Sequence, residues 1–140
     1  MSVFGVIVTT RGFFPGWLAE EARELISNKL TQMGHEFVMV DKDSMPYGAV
    51  QSYEHGKICA DLFKKNSERI EGIIVILPNF GDEIGVVTAI HEAGLNVPVL
   101  VQACDDDLHL LDVEHRRDAF CGKLSVCNNL KQYGIKYTLT

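Results

Sequence analysis

Short β-branched or aromatic runs recur along this chain at Val3 to Thr9, Phe37 to Val40, Ile73 to Leu77 and Val99 to Val101, each apolar on both faces. A strand that is apolar on both sides must be covered on both sides, which is the situation of parallel strands whose crossover helices pack against the sheet. A fifth, weaker run covers Ile135 to Leu139. Between the runs lie helical patterns. Leu18, Ala22, Leu25, Ile26, Leu30 and Met33 recur at the i, i+4, i+7 spacing of one buried stripe that closes at Gly34, and Ile58, Leu62 and Phe63 predict a second helix. A third starts at Asp82 or Glu83, carries Val86, Val87 and Ile90, and stops at Gly94; a fourth runs from about Phe120 or Leu124 to Gln132 and closes at Gly134.

This alternation predicts an α/β fold, a three-layer, doubly wound, five-stranded parallel sheet, and five strands favour a flavodoxin-like order over a longer dinucleotide-binding fold. The 140 residues fit one domain, residues 1–140, with no internal repeat or linker. Tyr137 to Thr140 keep strand character without a stop signal, so the chain is expected to be part of a longer protein. A formal net charge of -6 disfavours nucleic acid, whose binding needs clustered Lys and Arg; Arg116 and Arg117 are the one adjacent Arg pair. Cys59, Cys104, Cys121 and Cys127 lack zinc or redox spacing and read as reduced thiols in a cytoplasmic protein. No apolar run approaches the roughly 20 residues that span a bilayer, so no membrane partner is expected.

In open α/β sheets ligands bind beyond the carboxyl ends of the strands, which selects four loops: Thr10 to Trp17, Asp41 to Gln51, Pro78 to Glu83, and Gln102 to Arg117 with the helix that follows. In the first, Arg11 offers several donors to a polyol or carboxylate, and Phe13, Phe14 and Trp17 can shield an apolar sugar face or pack on a partner; the plain alternative is a helix lead-in with tucked aromatics. Gly12 and Gly16 match neither a Walker A loop nor a dinucleotide fingerprint. Asp41 at the end of the second strand reads as a turn residue. Asp105, Asp106 and Asp107 are adjacent and cannot all aim at one ion, so they read as a solvated, helix-capping face. His91, His109 and His115 show no metal-ligand repeat. From Arg117 to Gly134, small residues including Gly122, Ser125, Cys127 and Asn128 stand near a helix start, where a substrate could approach the backbone.

The segments Thr9-Thr-Arg-Gly-Phe-Phe-Pro15, Leu77-Pro-Asn-Phe-Gly-Asp-Glu83, Val99-Leu-Val-Gln-Ala103 and Arg117-Asp-Ala-Phe-Cys-Gly-Lys-Leu-Ser-Val-Cys-Asn-Asn-Leu-Lys-Gln-Tyr-Gly134 together resemble the N-terminal domain of L-fucose isomerase-like proteins, whose superfamily includes arabinose isomerases. The resemblance implies a metal-dependent aldose–ketose isomerase as parent, an intramolecular oxidoreductase. Its manganese would be held by acidic residues and a His in later domains, so this chain would hold no metal ligand and no catalytic residue. It further implies a homo-oligomer in which these loops line a neighbouring subunit's sugar pocket. By motif, Arg11, Phe13 and Phe14 take the first-loop positions, Phe80 the apolar contact after the third strand, and Ser125 and Asn128 the small polar positions of the last motif. Arabinose isomerases carry Gln and His in that last motif, so a shared substrate does not follow. The competing reading is a stand-alone flavodoxin-like binding or regulatory module for a small polar ligand or partner protein.

Overall fold

A computed structural model describes all of residues 1–140. Five strands, β1 (Val3–Val8), β2 (Glu36–Val38), β3 (Gly72–Leu77), β4 (Val99–Ala103) and β5 (Thr138–Leu139), alternate with four helices, α1 (Trp17–Gln32), α2 (Tyr53–Lys65), α3 (Glu83–Ala93) and α4 (Ala119–Gln132). The sheet order is β2-β1-β3-β4-β5 and every pairing is parallel. This is the flavodoxin-like arrangement expected from the sequence. No helix is long and apolar enough to cross a membrane.

The strand runs are apolar on both faces because the two faces feed separate cores. Ile7, Val75, Leu77 and Val101 join Phe63 of α2, Val86 and Ile90 of α3, and Val126 and Leu130 of α4 in the larger core. The intervening residues, Val6, Val8, Ile74 and Ile76, pack against Ala19, Ala22 and Leu30 of α1. Three helices therefore share one face and α1 lies on the other. Every second side chain of β1 and β3 changes core, as the period of two requires.

Local chemistry sets the helix ends. The Ser52 hydroxyl accepts from the His55 amide at 3.2 Å to begin α2, and Asp82 Oδ1 accepts from the Gly85 amide at 2.7 Å to begin α3. Gly94 ends α3 with φ of 64°, a left-handed conformation that costs glycine nothing.

Several sequence expectations shift in detail. β2 is Glu36–Val38 rather than Phe37 to Val40, β4 extends to Ala103, and β5 keeps only Thr138 and Leu139 of the run from Ile135. Thr9 lies just past β1 and bridges to Val50 instead of continuing the strand. Leu25 and Met33, placed on the buried stripe of α1, are 70% and 59% exposed. The buried positions Leu18, Ala19, Ala22 and Leu30 centre the stripe about a quarter turn round the helix from Leu25, and Met33 stands past the helix end. Ile58 is likewise turned outward, while Cys59, Ala60 and Phe63 make the α2 contact.

Candidate functional site

The chain leaves β1 toward β2 on one side and returns to β3 on the other, so the crevice between β1 and β3 is the switch point of this sheet. The loops that follow these two strands are joined there by Asn79, which has no exposed surface. Its Nδ2 donates to Thr10 Oγ1 at 2.7 Å and to the Pro15 carbonyl at 3.4 Å, while its Oδ1 accepts from the Gly81 amide at 3.0 Å and the Arg11 amide at 3.4 Å. Thr9 adds a second tie, its hydroxyl donating to the Val50 carbonyl at 2.7 Å and accepting from the Asp82 amide at 2.8 Å. Apart from the bond between the Asn79 and Thr10 side chains, these bonds join side chains to backbone, so they fix the loops without a regular element.

Arg11 lies on this frame. Its Nε donates to the Gly81 carbonyl at 2.9 Å, an Nη2 pairs with the Glu83 carboxylate, and its guanidinium carbon sits 4.5 Å from the centre of the Phe80 ring. Phe80 stands 6.0 Å from Phe14, and Phe14 stands 5.2 Å from Phe13. From the β4–α4 loop, Arg116 places its guanidinium carbon 4.8 Å over Phe14. The result is a row in which two adjacent rings are flanked by a cation at each end, Arg116–Phe14–Phe80–Arg11. Arg117 closes one side by donating from Nη1 to the Pro78 carbonyl at 3.0 Å, its own amide being held by Asp106 Oδ1 at 2.9 Å.

Helix α4 seats the row from below. A Cβ at Gly122 would overlap the Phe80 carbonyl oxygen, so glycine there serves close contact between α4 and the loop that carries Phe80. The small residue expected to admit a substrate instead admits a neighbouring carbonyl. Ser125 and Asn128 are not at the helix start, because α4 begins at Ala119. Ser125 is half-buried and its carbonyl accepts from Asn129 Nδ2 at 3.0 Å, whereas Asn128 is exposed. No hydrogen bond joins either side chain to Arg11, Phe13, Phe14 or Phe80, which the structure does bring together.

The remaining loop residues have local tasks. Asp41 Oδ1 accepts from the Asp43 amide at 2.9 Å, a turn as expected. The acidic triplet does not cap a helix: Asp106 holds Arg117, and Asp107 Oδ1 accepts from the His109 amide at 2.9 Å, because the β4–α4 loop has backbone donors of its own to satisfy. His115 Nδ1 lies 2.7 Å from Asp112, whose carboxyl this contact holds below its ordinary range. Trp17 Nε1 donates to the Glu114 carbonyl at 3.2 Å and tethers the first loop to the last. Burial pushes the Cys104 thiol up, against the pull of Arg117.

Asn79, Glu83 and Arg116 shape the site without having been singled out from sequence. The clue for Asn79 was its position, a lone amide two residues past a fully apolar strand. No three His, Cys, Asp or Glu side chains converge on a point where they could hold a metal ion. The row is a wall rather than a cavity. The concavity beside it, lined by Phe13, Phe14, Trp17 and Val113, is an open groove of about 440 Å³.

Residues 5–140 match the family described as fucose/sulfoquinovose isomerase, N-terminal domain. The chain belongs to this family. No curated protein and no solved structure matches it individually. For this isomerase N-terminal domain, the match covers all four strand-end loops and the whole of α4, so the wall described above lies inside the family region.

Proposed function

We propose that this domain lines the sugar pocket of a metal-dependent aldose–ketose isomerase and completes that pocket only when packed against another subunit or domain. The observation that carries the reading is the Arg11–Phe80–Phe14 wall at the switch point of an isomerase-family domain, open to solvent on its far side. Small-molecule sites enclose most of their ligand, roughly 70–90% of its surface, and an open groove does not. Phe13, Leu108, Leu111 and Val113 stand around the same end of the sheet with 58–80% of their surface exposed, which supports a macromolecular cover.

Each wall residue has a physical task. A guanidinium has five N–H donors, and Arg11 gives one to Gly81 and one to Glu83, leaving others for sugar hydroxyls. Glu83 and Phe80 fix the plane of that guanidinium, so little side-chain freedom is lost on binding. Phe14 and Phe80 cover the C–H face of the sugar and keep water from it. Ser125 and Asn128, lower on α4, would contact substrate only from a different side. A manganese ion supplied with its ligands by the rest of the protein would polarise the carbonyl and hydroxyl. The acids of this chain do not converge as its site, and no step is assigned to them. The four free thiols agree with residence in the reducing cytoplasm.

The test uses the complete gene product. Arg11→Ala should lower kcat/KM for the sugar by about 10- to 100-fold, the worth of a charged hydrogen bond, with manganese content by metal analysis unchanged. Unchanged kinetics would remove Arg11 from the pocket.

A further inference from the structure

We infer that Tyr47, which lies outside the wall, is a positioning residue for it: the tyrosine ring is held against Gly16 so that the first loop presents Phe14 in one place. The inference rests on the proposal that the wall lines a sugar pocket. Three residues other than glycine adopt positive φ, and two of them, Asn96 and Asp118, are of types that tolerate it. Tyr47, at φ of 58° and ψ of 11°, is not. A bulky residue persists in the left-handed region only where its surroundings impose it. Core packing does not account for the strain, because 46% of Tyr47 is exposed.

Gly16 supplies the reason. Its φ of -68° and ψ of -25° are helical values open to alanine, so the backbone does not require glycine there. A Cβ on Gly16 would nevertheless overlap three carbons of the Tyr47 ring. The unusual backbone of one residue and the missing side chain of the other make a single contact. That contact falls on the last residue before α1, two positions after Phe14. The preceding carbonyl, of Pro15, accepts from Asn79 Nδ2 at 3.4 Å. Asn79 comes from the loop after β3 and Tyr47 from the loop after β2, strands that flank β1 on opposite sides. The foot of the first loop is thus gripped from both.

The strained turn is itself anchored at both ends. Arg23 of α1 donates from Nη1 to the Gly48 carbonyl at 2.6 Å and from Nη2 to the Val40 carbonyl at 2.9 Å. It makes no ion pair, although Glu20, Glu24 and Asp41 line the same groove. Beyond the turn, the Val50 amide donates to the Val8 carbonyl at 2.9 Å and the Thr10 amide to the Val50 carbonyl at 3.0 Å. Tyr47 is therefore fixed to α1 and to the end of β1, the two elements that the first loop connects.

Hydrogen exchange and steady-state kinetics of the complete gene product test this, the kinetics with L-fucose and sulfoquinovose. The proteins compared are the wild type, Tyr47→Gly, Tyr47→Phe, Gly16→Ala, the double variant Gly16→Ala/Tyr47→Gly, and Arg11→Ala. Glycine suits the left-handed backbone at position 47, so Tyr47→Gly should stay folded while losing the ring. It should speed exchange at the Phe14 amide, which bonds the Arg11 carbonyl, and raise KM by about 5-fold or more with kcat nearly unchanged. Tyr47→Phe keeps the ring carbons that meet Gly16 and should match the wild type. Gly16→Ala, which displaces the ring, should raise KM by itself and add nothing to Tyr47→Gly. Exchange at Phe14 is read without sugar, so it decides the positioning by itself. Wild-type exchange and KM in Tyr47→Gly overturn the inference, as do losses that simply add in the double variant, or a lowered urea midpoint with exchange and kinetics untouched. The two readings fail separately: if Arg11→Ala impairs conversion and Tyr47→Gly does not, the wall stands without this support. If Arg11→Ala impairs nothing, the wall itself falls.

Discussion

Asn79 has no exposed surface and uses both donors and both lone pairs of its side-chain amide on four partners from two loops. Removing it strands the Thr10 hydroxyl and the Gly81 amide in a dry place, and each stranded group costs about 1–3 kcal/mol. Asn79→Ala is therefore expected to lower unfolding free energy by about 2–4 kcal/mol in urea titrations, and Asn79→Asp to do similar harm because a carboxylate cannot donate to Thr10. Gly122 makes the complementary case. Gly122→Ala would force α4 away from the Phe80 carbonyl, with a loss of about 2–3 kcal/mol by the same measurement. At this scale the sequence was only partly legible. Arg11, Phe13, Phe14 and Phe80 stand together because they follow strands β1 and β3, which any parallel sheet of this order places side by side. The partnership of Arg116 with Phe14 depends on the path of a loop from Asp105 to Asp118, which no periodicity encodes.

The elements were far more readable than their contacts. Val6, Ile7 and Val8, or Ile73 through Leu77, announce strands covered on both faces, and the structure buries every one of them. Asp82 before the Glu83–Ala93 helix and Gly94 after it were legible for the same reason: each satisfies backbone groups that a helix end leaves free. Asp82→Ala should cost about 1 kcal/mol, seen as a lower urea midpoint, and Asp82→Ser should restore most of it. Leu25 and Met33 were not legible. Their spacing alone suits the stripe of α1, but the orientation of that helix is fixed by Ala19 and Ala22 pressing on Val6 and Val8, and a leucine a quarter turn away is left in water. Pattern gives the period of a helix; the packing partner gives its phase.

The molecule as a whole has a stability profile set partly by its thiols. Cys59 is buried in the larger core, where desolvation pushes its thiol up to about 12 from an ordinary value near 9.0, and Cys104 and Cys127 move in the same direction. The unfolded chain thus releases these protons at lower pH than the folded one. The stabilisation is complete below about pH 9 and is lost as pH climbs toward 12, at about 1.4 kcal/mol per pH unit for Cys59 alone. Urea titrations between pH 8 and 10.5 should show that decline, and Cys59→Ala should flatten it; an equal slope in the variant would assign the decline to other groups. The tie made by Asn79 has a consequence on this scale too. Because one amide cross-links the ends of β1 and β3, the surface proposed to meet a sugar is held in shape without any ligand. Hydrogen exchange at the Arg11 and Gly81 amides should be as slow without sugar as with it, and any adjustment of shape on recognition then belongs to the opposing side of the cleft.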